Sequence, residues 1–121
     1  MNPEEEFYTP ERCYLVELSN TPVDPELSIA RARVRPGITT QWHRLDGINE
    51  RYCIVSGEAQ VETGKLPPKN VKQGDVVLIP SMCRQRITNI GTEDLVFLAL
   101  CTPRFEKRCY QNLEESIPGN A

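Results

Sequence analysis

The chain of 121 residues contains one histidine, His43. An imidazole titrates near neutrality, so it can take a proton from a substrate as a general base, or offer a nitrogen lone pair to a metal. Glu50 follows seven residues later and brings a carboxylate that could share either task. If both lie on strands, side-chain alternation puts His43 and Leu45 on one face and Glu50, Tyr52 and Ile54 on one face of the next strand. His43 and Glu50 are therefore the candidate catalytic residues. Leu45, Tyr52 and Ile54 are the candidate lining of a substrate pocket, with Tyr52 either offering its hydroxyl to a ligand or packing as a core tyrosine. Trp42 points the other way and is a candidate to seal a subunit contact. The five cysteines, Cys13, Cys53, Cys83, Cys101 and Cys109, form no Cys-x-x-Cys pair. That argues against a structural zinc site and against thiol redox chemistry, and reads as free thiols.

The residues around His43 have a regular spacing. Gly37 is followed by five residues and then His43; Glu50 comes next, and Gly57 closes the stretch. Further on, Gly74 is followed by five residues and Pro80, then Gln85 and Asn89. These two stretches, together spanning residues 37–89, resemble the two signatures of the cupin superfamily. In that pattern a His-x-His pair, a glutamate and a later histidine converge on a divalent metal. Here Leu45 stands in place of the second histidine and Gln85 in place of the third. The resemblance implies a reduced metal set of His43, Glu50 and Gln85, for nickel, zinc, manganese or iron. An amide oxygen is a neutral and weak ligand, and an isobutyl group is none at all. The alternative is a metal-free pocket in which His43, Glu50 and Gln85 hydrogen-bond one another.

The resemblance further implies a double-stranded β-helix, which is a jelly-roll barrel, and a homodimer. It implies two functional readings. One is a metal-dependent enzyme of the isomerase, dioxygenase or cyclase class, acting on a small carbonyl, enol or sugar-type substrate. The other is a metal-free protein that binds a small molecule without catalysis. Fold alone does not choose between them.

The elements that must position these residues are short strands separated by turn signals, as in an all-β sandwich or barrel. The expected strands are 13–18, 28–35, 39–45, 51–55, 59–62, 75–79, 84–89 and 94–102. In the second, Ala30, Ala32 and Val34 share one face, and Arg31, Arg33 and Arg35 the other. In the seventh, Gln85 faces inward, so Arg84 and Arg86 look out. The last is apolar on both faces, as suits a strand covered on both sides. After it, Thr102 can cap a helix and Pro103 can begin one. Phe105, Cys109, Leu113 and Ile117 then recur every four residues, predicting a short C-terminal helix. The reading is a single domain over residues 1–121, with a core at 12–102 and an appendage at 103–121.

Composition excludes several classes. The formal net charge is −3, which lacks the basic footprint of a nucleic-acid binder and gives no pull toward anionic membranes. No apolar run approaches the ~20 residues that span a bilayer. The acidic start carries no basic, apolar leader. The chain therefore reads as cytoplasmic, with a small-molecule ligand as its partner.

Overall fold

The computed structural model describes residues 5–114. The strands in chain order are β1 Phe7–Tyr8, β2 Tyr14–Ser19, β3 Ser28–Val34, β4 His43–Leu45, β5 Asn49–Ser56, β6 Glu58–Thr63, β7 Lys69–Lys72, β8 Val76–Ile79, β9 Gln85–Asn89, β10 Leu95–Thr102 and β11 Tyr110–Asn112. They form a six-stranded sheet in the order β1-β2-β3-β10-β5-β8 and a five-stranded sheet in the order β11-β4-β9-β6-β7. The strand pairings are antiparallel. This is the jelly-roll, double-stranded β-helix architecture. No helix among the described residues is long and apolar enough to cross a membrane.

Alternation accounts for the layering. Ala32 and Val34 of β3, Tyr52 and Ile54 of β5, Ile87 of β9, and Leu95 and Phe97 of β10 meet in one buried apolar cluster between the sheets. Their neighbours in sequence turn outward. Arg33 leaves the core on the far side of β3, where it pairs with Glu6 at 2.8 Å and Asp94 at 2.9 Å and lies over the Tyr14 ring. Arg84 and Arg86 also look outward as expected, and both guanidinium groups lie 4.3 Å from the Trp42 ring centroid. Those contacts answer Trp42 within its own chain.

Two residues of the spaced motifs prove to be structural. Gly57 turns the chain from β5 into β6 at φ +94°, and a Cβ there would meet the Leu95 backbone at 3.0 Å. Only glycine meets both demands without strain. Asn89 is fully buried and donates from Nδ2 to the carbonyls of Val34 and Glu93, both at 2.8 Å, while its Oδ1 accepts from the Gly91 amide. It thereby clips the β9–β10 turn to β3.

The C-terminal segment departs from expectation. After β10 the chain makes only a three-residue 3₁₀ turn, Lys107–Cys109, and enters it from extended backbone at Glu106. It then forms β11, pairing Tyr110 with Leu45 and Asn112 with His43. The cause is the open edge of the three-residue β4, whose unpaired backbone groups a short isolated helix could not satisfy. Phe105 and Cys109 do reach the core as their spacing suggested. They pack, with Tyr110, against a second cluster of Leu45, Ile48 and Cys101, but as irregular chain rather than one helical stripe. Ile117 lies outside the described residues. Strand β4 is also shorter than expected, with residue Thr39 making only a single bridge to Thr88. Strands β1, β7 and β11 were not foreseen.

Leu45 is 3 % exposed within that second cluster. Leu45→Ala is expected to cost roughly 2–5 kcal/mol, measured as a drop in the urea midpoint at constant slope. A change below about 0.5 kcal/mol would place the side chain outside the core.

Candidate functional site

A cavity of about 950 Å³ opens at one end of the barrel, within the upper range of small-molecule sites. Its floor comes from the inner faces of β3, β5 and β10, with Ala32, Glu50, Tyr52, Phe97 and Ala99. One wall is β4, with His43 and Leu45; another is built from the Thr9–Cys13 turn and from Tyr110 of β11.

The structure gathers most of the expected residues. His43 is buried and lies directly opposite Gln85 in the β4–β9 pairing. Glu50 and Tyr52 project from β5 toward them. Leu45 and Tyr52 line the cavity as expected. Ile54 does not; it sits deeper, in the apolar cluster with Phe97 and Ile87. Gln85 is also behind the lining, and its Oε1 accepts the Tyr52 hydroxyl. Of the expected trio, Glu50 and Gln85 do bond each other through their side chains, while His43 takes other partners. The Gln41 carbonyl, 2.8 Å from His43 Nδ1, can only accept, so Nδ1 carries the proton there. Nε2 faces Glu11 Oε2 at 3.7 Å, and the Tyr110 ring stacks on the imidazole at 4.9 Å and 13°.

Glu50 is the exception in this otherwise answered interior. It is 7 % exposed, and its Oε1 has no hydrogen-bond partner. Burial pushes its carboxyl up to about 7, and the charge of Glu11 adds to that. His43, Gln85 and Cys101 pull the other way. The neighbouring hydroxyls and thiols are held protonated. Burial raises Tyr52 and Tyr110 well above the usual phenol range. It also raises the Cys13 thiol to about 12 and pushes the Cys101 thiol well above the usual thiol range. All five cysteines are free, and these two are poor nucleophiles because their thiolates are suppressed.

The sequence reading missed Glu11, Tyr110 and Gln41. Glu11 stands between Pro10 and Arg12 in a polar N-terminal segment that reads as solvated surface. A tight turn brings it inward: Arg12 adopts φ +73°, its amide donates to the Thr9 carbonyl, and the Gln41 amide donates to the Glu11 carbonyl at 3.2 Å. Tyr110 reaches His43 only because β11 pairs with β4. No periodicity or spacing signals either contact.

A family model described as a cupin domain matches residues 30–101. The chain is a cupin. It is 28 % identical over 93 residues to an oxalate decarboxylase of Bacillus subtilis, covering 74 % of this chain and 24 % of that protein. It is 38 % identical over 72 residues to an oxalate-binding protein of Thermotoga maritima, covering 59 % of this chain and 58 % of that one. The cupin thus spans less than two thirds of either relative. Among solved structures, an oxalate decarboxylase from Lactobacillus farciminis superimposes with a TM-score of 0.78 at 24 % identity, over 91 % of this chain and 33 % of that one. An uncharacterised double-stranded β-helix protein from Klebsiella pneumoniae does so with a TM-score of 0.75 at 16 % identity, over 90 % of both chains. At these identities the structures establish the fold.

The cupin fold raises the question of a divalent metal, and the donors here do not fit one. Leu45 fills one ligand position with hydrocarbon, and the oxygen of Gln85 is engaged by Tyr52 and withdrawn from the cavity. Among the described residues, no three His, Cys, Asp or Glu side chains are grouped to hold a metal ion.

The raised Glu50 carboxyl has a consequence for stability. The folded state holds this proton more tightly than the unfolded chain, whose carboxyl ionises near its ordinary 4.5. Glu50 therefore costs nothing below that value, and the cost grows as pH rises through about 7. Glu50→Gln should leave the melting temperature almost unchanged near pH 4 and raise it above pH 7, by up to about 3 kcal/mol of stability. Calorimetry across that range checks it; an equal gain at both ends would place Glu50 in water.

Proposed function

We propose that this cupin is a small-molecule binding protein whose pocket works without a resident metal. The observation that carries this reading is the broken donor set on both sides of His43: hydrocarbon at Leu45, and an amide at Gln85 already bonded to Tyr52. What remains is a cavity of metabolite size, mainly apolar, with a few polar atoms of His43, Glu50 and Glu11 turned toward it. The names of the two sequence relatives make oxalate the first ligand to consider. The pocket argues against it, because a dianion would sit beside two carboxylates with no metal to neutralise it. The five free thiols suit a reducing, cytoplasmic setting.

Thermal denaturation with nickel, zinc, manganese or ferrous ion should leave the parent unchanged, and oxalate should give no heat of binding. The double variant Leu45→His with Gln85→His restores two imidazoles and should acquire a metal-dependent shift on the order of 10 °C at saturating metal. A shift in the parent that His43→Ala abolishes would sink the metal-free reading.

We also infer a homodimer, formed through the outer face of the six-stranded sheet rather than through Trp42, which Arg84 and Arg86 already cover. Val96, Leu98 and Leu100 of β10 are half-buried there, beside Cys53 and Val55 of β5. At the sheet edge, Val76 is 61 % and Leu78 is 57 % exposed. The pairing register aligns Leu98 with Cys53 and Cys53 with Val76, so these residues form one patch. These three strands, two of eight residues and one of four at ~3.3 Å per residue and ~4.8 Å spacing, give a flat footprint of roughly 300 Å² before side-chain relief. Side-chain relief and the rim around it would have to supply the rest of the ~800 Å² per partner of a stable interface. Both described ends lie away from β8: residue 5 precedes β1 at the opposite sheet edge, and residue 114 bonds Trp42. Sedimentation at micromolar concentration should show a dimer. Val76→Glu and Leu78→Glu should each give a folded monomer, and Leu66→Glu, exposed elsewhere, should remain dimeric. A monomeric parent, or dimers that survive both β8 charges, would contradict the interface.

A further inference from the structure

The charges that face the cavity are unevenly distributed. Around its mouth they pair off. Arg104 donates to Asn20 Oδ1 at 2.9 Å and lies 3.9 Å from Glu106. Glu106 accepts from Arg108 at 2.9 Å, and Glu17 accepts from Asn20. Lys107 stands at the same rim. Deeper in, two carboxylates face the space and neither is paired with lysine or arginine. Glu11 meets the Cys13 thiol, at 3.6 Å, the Tyr110 hydroxyl, and His43 Nε2, the last at a distance too long for a hydrogen bond. Glu50 is more than nine-tenths buried, lines the cavity and leaves Oε1 unanswered. A buried acceptor without a donor is costly, and a second negative group nearby raises that cost.

The surrounding walls favour a cation as well. Phe97 and Tyr52 lie ring to ring at 4.5 Å on the floor, and Tyr110 stacks over His43 at one side. Aromatic faces attract cations through the ring quadrupole. Ala32, Ala99 and Leu15 complete an apolar surface, suited to a hydrocarbon body rather than to a naked ion.

We propose that the cavity binds an organic ammonium: a protonated primary amine whose N–H groups are directed to Glu50 and Glu11, with its apolar body against Phe97 and the alanines of β3 and β10. The ammonium supplies the donor that Glu50 Oε1 lacks and offsets the charge of both carboxylates. This deepens the metal-free reading and rests on it. It also reverses the sign of the ligand for which the two sequence relatives are named.

The test uses matched ligands on the intact chain at pH 8, where the amines are cationic and Glu50 is ionised. Isothermal titration compares 2-phenylethylamine with phenylacetate and 2-phenylethanol, which keep the ring and change the head group. Butylamine and cyclohexylamine vary the body, and manganese alone runs in parallel. The expected result is saturable binding of the amines, strongest for those with a larger apolar body, and none of phenylacetate. Glu50→Gln and Glu11→Gln should each weaken amine binding tenfold or more. Glu50→Gln is stabilised above pH 7, so loss of fold does not confound the result. Alcohol or carboxylate binding as tightly as amine, or no amine binding at all, would overturn the ammonium assignment and leave the metal-free pocket standing. A manganese-dependent thermal shift that His43→Ala removes would overturn both.

Discussion

Every polar side chain that turns into a closed barrel has lost its water and must be answered by another group. Strand alternation forces His43, Glu50, Tyr52 and Gln85 into that position, and the rest of the site follows from how each is answered. Gln85 answers the Tyr52 hydroxyl with its oxygen and also bonds Glu50. His43 takes the Gln41 carbonyl on one nitrogen and faces Glu11 with the other. Glu50 is left with one oxygen open, and the character of the cavity follows from that remainder. In a cupin with a full ligand set a metal would answer these groups together. Here hydrocarbon stands at Leu45, and the oxygen of Gln85 is taken by the Tyr52 hydroxyl.

Much of this was legible in the sequence because strand structure is local in its pattern. The alternation of Ala32 and Val34 with Arg31 and Arg33, and the register from His43 to Leu45 and from Glu50 to Tyr52, place the inward residues before any tertiary fact is known. The spacing of Gly37, His43, Glu50, Gly57, Gly74 and Asn89 carries the cupin resemblance, and that resemblance implies that three distant strands meet at one point. Gly57 shows why such spacing is informative: its turn needs both a positive φ and the absence of a Cβ against Leu95.

What remained hidden depends on contacts with no local pattern. The four-residue recurrence from Phe105 suggested a helix, since the spacing of apolar residues cannot register an unpaired strand edge elsewhere in the chain. Once β4 offers that edge, pairing outweighs a weak helical preference, and Tyr110 is carried onto His43. Glu11 was hidden for a similar reason. In a polar segment ahead of the first long strand, nothing marks the carboxylate that a tight turn will direct inward. Ile54 illustrates a smaller limit. Alternation tells inward from outward but not depth, so a residue two positions past Tyr52 falls into the packed core rather than the cavity wall.

The matched cupin region, residues 30–101, does not contain all of the cavity. Glu11 and Tyr110, which close it over His43, come from the two flanking segments, and the Glu114 carboxylate draws these together by accepting from both Arg12 and the Trp42 amide. The matched barrel is thus a floor, and the flanking segments make the roof. Mutation can remodel the roof without disturbing the strands that keep the domain folded, so ligand preference and fold stability can evolve almost independently. Two chains with the same barrel could then share little of their ligand chemistry, and the segments that decide the difference are the ones a family comparison passes over.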